Sequence, residues 1–379
     1  MRVLQGVSHH AAAAAAIAEA TSGWDGAPEL VLAFVSTAQD AEAVASELAA
    51  RFAGALIVGC TTTGEHLNGA HHRGSVVLTA VIDSGIRWSV ASLQGLSTRT
   101  EDDVSAAAEA LFAGVGTNTT SEDFDSAEHF CLAFVDGLRG REEAVTALLA
   151  DALEGVQLVG GSAGDDLKFQ ETKVICGDRA FTDGIVVVMG RAKDRFAILK
   201  HHHFTGSPRR LAITSVHVQA RRVYEMDGLP AITAYASALG LELAQVTGEV
   251  TFMNPLTFRC RGETYVRSIQ KVHEDGSITF FCAMEEGMVL EIGGHEDMVA
   301  ALATDLDAAT ATKGPFDLMI GCNCILRALE ADKSAVEAEL GDAWIAASNA
   351  SIGFDTYGEQ VDGLHMNQSL VALGLRGNP

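Results

Sequence analysis

Three stretches of the chain carry the same succession of apolar and polar positions. Each opens with a nearly unbroken apolar run: LVLAFVS (30–36), FCLAFVD (130–136) and FDLMIGC (316–322). Runs this short and this apolar predict central strands covered on both faces. A segment with helical spacing follows each run. Val44, Leu48 and Phe52 share one face of a helix expected from about Asp40 to Phe52, with Thr37 as its cap. Val145, Leu148, Leu149 and Leu153 do the same in the second stretch, and Leu326, Leu329 and Val336 in the third. Further strands follow in the first two stretches, ALIVGC (55–60) and QLVGGSAG (157–164). After a glycine turn come the closing strands SVVLTAVI (75–82), GIVVVMG (184–190) and SLVALGL (369–375). Strand–helix–strand crossovers are parallel, whereas short turns join antiparallel neighbours, so the pattern predicts an α/β fold with mixed sheets flanked by helices. Near the start, Ser8 is placed to cap a helix over the run Ala11–Ala16.

The first and third stretches match residue for residue. Gly59, Thr62, Gly64, Glu65, Gly69, His71 and Ser75 recur as Gly353, Thr356, Gly358, Glu359, Gly363, His365 and Ser369, and Asn68 is answered by Asp362. The constant offset (353 − 59 = 294) predicts an internal duplication and two pseudo-symmetric parts. Turn geometry accounts for the glycines and for Asn/Asp. It does not require a carboxylate twice, which singles out Glu65 and Glu359, with Thr62 and Thr356 beside them. Between the outer stretches the texture changes. KHHHF (200–204) ends an apolar strand, Pro230 opens a helix, and TFMNPLTF (251–258) and the segment 264–284 alternate with period two around an Asp275-Gly276 turn. The change places a boundary near 190–210 and predicts two domains, 1–195 and 196–379.

Composition narrows the class. Among 379 residues, 26 Lys and Arg face 50 Asp and Glu, a net charge of −24, which disfavours nucleic acid and anionic membrane surfaces as partners. No stretch approaches the roughly 20 apolar residues of a membrane helix, and the alanine run lacks a basic leader, so a cytoplasmic protein is expected. The seven cysteines are odd in number and mostly set in apolar runs, as reduced core thiols would be. Gly160-Gly161-Ser162-Ala163-Gly164 fits the nucleophile-elbow spacing, but no helical stripe follows it. Cys322 and Cys324 lack zinc-ligand spacing, and no phosphate-cradling glycine loop stands between strand and helix. No enzyme chemistry is expected.

VLAFVS (31–36), IVGCTTTGE (57–65), VGGSAGDD (159–166), VYEMDGLPA (223–231), YVRSI (265–269), EEGMVLEI (285–292) and IGFDTYGE (352–359), in this order, resemble the FIST-domain sensory proteins, with FIST N and FIST C parts. The resemblance covers roughly residues 25–375. It implies a non-catalytic sensor of small ligands acting on a histidine kinase or another signalling protein, as a monomer or a homo-oligomer. GEQVDGLHMNQS (358–369) and CNCILRALE (322–330) further resemble the nitric-oxide-sensing branch of that family, which binds haem. On that resemblance His365 is the expected axial metal ligand, with His203 or His201 as the alternative, and Arg209 and Arg210 would meet the propionates. The competing expectation is a cofactor-free sensor in which Glu65, Glu359, Thr62 and Thr356 bind a small amino-acid-like metabolite.

Overall fold

The computed structural model describes residues 1–260 and 262–378. The chain forms two compact units that are not consecutive halves. The larger comprises Met1–His201, Ala303–His365 and Leu370–Pro379; the smaller comprises His202–Leu302 and Met366–Ser369. The fold is mixed α/β, as the periodicity indicated.

The larger unit contains three copies of one motif. Copy one runs β1 (Arg2–Ser8), α1 (Ala13–Ala20), β2 (Leu30–Ser36), α2 (Ala41–Arg51), β3 (Leu56–Thr62), the hairpin β4 (Glu65–Leu67) and β5 (Ala70–His72), and β6 (Val76–Ile82). Copy two repeats it as β7 (Arg87–Gln94), α3 (Glu101–Gly114), β8 (His129–Val135), α4 (Glu142–Ala152), β9 (Gln157–Ser162), β10 (Val174–Cys176), β11 (Arg179–Phe181) and β12 (Gly184–Arg191). Copy three opens with β13 (Phe196–His201). The smaller unit then intervenes as β14 (Phe204–His217), β15 (Arg222–Met226), β16 (Leu229–Pro230), α5 (Ala231–Leu239), α6 (Gly248–Met253), β17 (Leu256–Cys260), β18 (Glu263–Arg267), β19 (Ile269–Val272), β20 (Ile278–Phe280) and β21 (Val289–His295). Copy three resumes with α7 (Met298–Thr310), β22 (Leu318–Cys324), α8 (Ile325–Ser334), α9 (Glu337–Ala347), β23 (Ser351–Thr356), β24 (Glu359–Val361), β25 (Leu364–Met366) and β26 (Leu370–Leu375).

Each copy builds one six-stranded sheet, and each sheet borrows its last two strands from another copy. The orders are β1-β6-β2-β3-β10-β11, β25-β24-β9-β8-β12-β7 and β13-β26-β22-β23-β4-β5. Hairpin β4–β5 of copy one joins the sheet of copy three, β24–β25 of copy three joins copy two, and β10–β11 of copy two joins copy one. The exchange is cyclic. Within each copy the central crossover is parallel (β2–β3, β8–β9, β22–β23), and the closing strand returns antiparallel. Ala33 pairs with Gly59, Ala133 with Gly160 and Gly321 with Gly353, which fixes the equivalence of the three copies residue by residue. The glycine is required there: a Cβ on Gly59 would sit 1.8 Å from the Ala33 carbonyl oxygen, and one on Gly160 2.2 Å from that of Ala133. Where the copies meet, the fully buried rings of Phe34, Phe134 and Phe354 pack together with centroids 4.5–5.9 Å apart. Sequence matching found the kinship of copies one and three; the second belongs equally, so the repeat is threefold.

Several local expectations change. Ser8 ends β1 rather than capping a helix, and its hydroxyl bonds Glu19 Oε2 at 2.5 Å. Asp40, not Thr37, caps α2 by accepting from the amides of Glu42 and Ala43. Residues 248–253 are helical, with Thr247 as cap, so the strand begins only at Leu256. The third helix is broken by Ala335 in the left-handed region (φ 55°), giving α8 and α9. In the smaller unit the antiparallel sheet β18-β17-β21-β14-β15-β20-β19, with β16 beside β15, packs against α5 through Leu211, Ile213, Val223, Tyr235, Ile278 and Leu290. The expected hairpin at Asp275-Gly276 joins β19 to β20 there.

Candidate functional site

In copies one and two, the space between sheet and helices is packed core. Val35 and Ala33 of β2, Ile57 of β3, Val44 and Leu48 of α2, and Ile175 and Ala180 of the borrowed hairpin fill it in copy one. Ala133, Val135, Leu158, Val145 and Leu149 do so in copy two. Copy three has polar or smaller residues at the same positions. Val35 becomes Asn323, Ala33 becomes Gly321, Ile57 becomes Ser351 and Thr61 becomes Asp355; the hairpin pair Ile175 and Ala180 becomes His66 and His71. The helix facing this sheet is also turned. Arg327 and Glu330 of α8 are buried, whereas Leu326 and Leu329, expected inward, are only half-buried.

The result is a cavity of about 60 Å³ lined by His66, His71, Asn323, Arg327, Glu337 and Trp344, among others. At roughly 10–15 Å³ per water, it holds about four to six waters or a molecule of similar bulk. Trp344 lies over the bare Cα of Gly321, where a Cβ would meet the indole at 2.7 Å. Backbone contact between Gly69 of the hairpin and Gly341 of α9 closes another side.

Asp355 is fully buried and sits among three polar side chains. Its Oδ1 lies 2.8 Å from His66 Nε2 and accepts from Asn323 Nδ2 at 2.7 Å; its Oδ2 lies 2.9 Å from His71 Nε2. The two imidazoles are stacked, with centroids 4.6 Å apart. His71 Nδ1 faces Glu337 Oε1 at 3.3 Å. Burial alone would raise the Asp355 carboxyl, yet His66 and His71 hold it well below the usual carboxylate range. Burial opposes the His71 imidazolium, and the Asp355 carboxylate outweighs it, so the His71 pKa is raised.

Arg327 is 3 % exposed. Its Nη1 donates to Asn323 Oδ1 at 2.8 Å, while Nε and Nη2 have no protein partner. Burial draws its pKa down to about 10 against the pull of Glu330, Glu359 and Asp355, so it stays charged at neutral pH. Nε and Nη2 form the side of the guanidinium that grips a carboxylate with two parallel bonds. A buried, charged fork with both prongs open is costly in a folded chain unless something fills it.

The residues singled out from the sequence lie elsewhere. Glu65 is buried and bonded by the hydroxyls of Thr62 and Ser75 and by the Ser75 amide; Glu359 is buried and bonded by Thr356. None of these four contributes to the cavity lining. Ser162 is buried in β9, and a loop, not a helix, follows it, so the elbow geometry is absent.

His365 is buried, with its Nδ1 3.1 Å from Gln360 Nε2. That amide nitrogen also lies 2.8 Å from Ser162 Oγ and 3.4 Å from the Gly358 carbonyl oxygen. His201 Nδ1 lies 2.8 Å from Asp305 Oδ2; His203 packs beside Phe204 and His295 in the smaller unit. Arg209 donates to the Ala238 carbonyl and Arg210 to Glu291. None of the five haem candidates is among the residues lining the cavity.

The chain is thus a mixed α/β protein with a polar cavity in one of its three repeats. The family models give the class a name: residues 29–229 match the FIST N domain and residues 231–362 the FIST C domain, so the chain belongs to the FIST family, whose domains are associated with signal-transduction sensing. No curated protein matches the chain. No helix among the described residues is long and apolar enough to cross a membrane.

The sequence reading missed His66, Asp355, Asn323, Arg327 and Glu337, and noted His71 only as a repeated turn residue. The usable signal was the difference between copies: a polar Asn where its two sisters carry Val, in an otherwise apolar strand.

Proposed function

We propose that this protein is a signalling sensor whose larger unit takes up a small carboxylate-bearing metabolite. The observation that carries the reading is the open Arg327 fork, buried in a cavity that both sister copies fill with side chains. The carboxylate would accept from Arg327 Nε and Nη2, with Asn323 holding the guanidinium in place and Trp344 forming an apolar wall. The bound state would be passed to a histidine kinase or another signalling protein. Membership of a sensory family supports that second half.

The test is thermal unfolding of the full chain with acetate, lactate, pyruvate and glycine, and with acetamide as a neutral control of equal size. At a hundred times its Kd a ligand adds about 2.7 kcal/mol to the unit that binds it. One or more carboxylates should raise the unfolding temperature, acetamide should not, and Arg327→Gln should abolish the shift. A shift of equal size in Arg327→Gln refutes the reading. For the haem alternative, titration should give a broad Soret band without a stoichiometric endpoint. A sharp, saturable band that moves with nitric oxide and is lost in His365→Ala would reinstate it.

A further inference from the structure

We infer that His66, His71 and Asp355 form a binding site for one divalent transition-metal ion at the mouth of the cavity. Donor atoms of all three lie within 4.8 Å of one another. Two donors each about 2.05 Å from one ion stand about 2.9 Å apart at a right angle and about 3.3 Å apart at the tetrahedral angle. The His66 Nε2–Asp355 Oδ1 and His71 Nε2–Asp355 Oδ2 separations are 2.8 and 2.9 Å. The second of these is not aligned as a hydrogen bond. With Glu337 at its Nδ1, His71 in its neutral form carries its proton there and points the Nε2 lone pair at a carboxylate oxygen. In that form the two lone pairs repel, and a proton on Nε2 or a metal ion between them relieves the contact.

The surroundings are those of a metal centre. A ligating histidine characteristically donates its other nitrogen to a carboxylate, as His71 does to Glu337, and the ligating carboxylate is itself hydrogen-bonded, as Asp355 is by Asn323. Gly64 keeps the approach open, since a Cβ there would lie 2.4 Å from Asp355 Oδ2 and 2.5 Å from His71 Nε2. The fold does not need these residues. In copy one the corresponding locus is Ile175, Ala180 and Thr61, and in copy two it is Gln360, His365 and Ser162, so only the His71 position keeps its imidazole in a sister copy. Two imidazoles and one carboxylate suit a borderline ion such as Zn²⁺, Co²⁺ or Ni²⁺ and leave coordination positions open.

The test uses the full chain stripped with a chelator and titrated with Co²⁺, followed by visible absorption and by the metal retained after gel filtration. One Co²⁺ per chain with ligand-field bands is expected. His71→Ala, Asp355→Asn and His66→Gln should each lower the affinity by at least tenfold. His66→Gln installs the residue of the sister hairpin and so preserves the fold if the other two variants do not. The titration is run without added carboxylate, so its outcome is read independently of the carboxylate reading. Absence of stoichiometric Co²⁺ binding, or undiminished binding in His66→Gln, overturns the inference.

Discussion

Glu65 offers a quantitative test of how the borrowed hairpin is held. It begins β4, on the opposite side of the strand from His66, and is fully buried. Burial pushes its carboxyl up from 4.5 to about 7, even though the hydroxyls of Ser75 and Thr62 and the Ser75 amide favour the charged form. A carboxyl raised on folding stabilises the fold fully below its unfolded pKa and loses that contribution as pH climbs through the folded value. With the unfolded group at 4.5 and the folded one near 7, each pH unit in between costs about 1.4 kcal/mol. From pH 5 to pH 8 the wild-type protein should therefore lose about 2.5 kcal/mol on this account. Glu65→Gln keeps the shape and removes the titration. Urea unfolding of both proteins at pH 5, 6, 7 and 8, in chelator so that no ion at His66 contributes, should show curves that diverge above pH 5, the variant becoming the more stable. Infrared spectroscopy gives an independent reading, a protonated-carboxyl band present at pH 6 in the wild type and missing in the variant. Parallel pH curves for the two proteins would refute the argument.

Three further outcomes follow from the fold and the cavity. Alanine at Gly59, Gly160 and Gly353 should destabilise in that order, because the added Cβ meets a carbonyl oxygen at 1.8, 2.2 and 2.7 Å; chemical denaturation of the three variants ranks them, with overpacking costs of about 1–3 kcal/mol or more. Phe34→Ala empties the junction of the three copies and should cost about 3–5 kcal/mol in the same assay, with the loss spread over the larger unit. Giving copy three the residues of its sisters, Gly321→Ala with Asn323→Val, should abolish the carboxylate-dependent thermal shift, since the new groups intrude on the Trp344 wall and remove the Arg327 support. A shift that survives this double change would place the ligand elsewhere.

The central strands of the larger unit were legible because β2, β6, β8, β22 and β26 are buried on both faces and read as nearly unbroken apolar runs. The glycine turns were legible because Asn68 and Asp362 sit at φ 49° and 44°, beside glycines that are also left-handed. The cyclic exchange was not legible. A three-residue strand such as Glu65–Leu67 carries no periodicity, and nothing local states that its partner lies in β23. The cavity was hidden for a related reason. Leu326 and Leu329 mark a plausible inward face for α8, and only tertiary packing turns Arg327 and Glu330 inward instead. Glu65 and Glu359 drew the sequence reading as ligands because they recur. Their shared task is to accept the hydroxyl of the threonine three residues earlier.

The passing of hairpins from copy to copy has a consequence for biosynthesis. Glu65 pairs with Phe354, 289 positions later (354 − 65), so β4–β5 leaves the ribosome long before the strand it must join. At about 5–20 residues per second, the wait is roughly 15–60 s. During it the nascent chain presents unpaired strand edges of the kind that recruit chaperones or other chains. Copy two is in the same position until β24 arrives, so neither early copy completes its sheet alone. The ring therefore assembles late and as a whole, like a trimer whose subunits happen to share one backbone. The segment matched by the FIST N domain, residues 29–229, lacks β1 and α1 of copy one and all of copy three after β13, and so has no means of closing the circle. For this chain, the FIST N segment is a unit of descent and not a unit of folding.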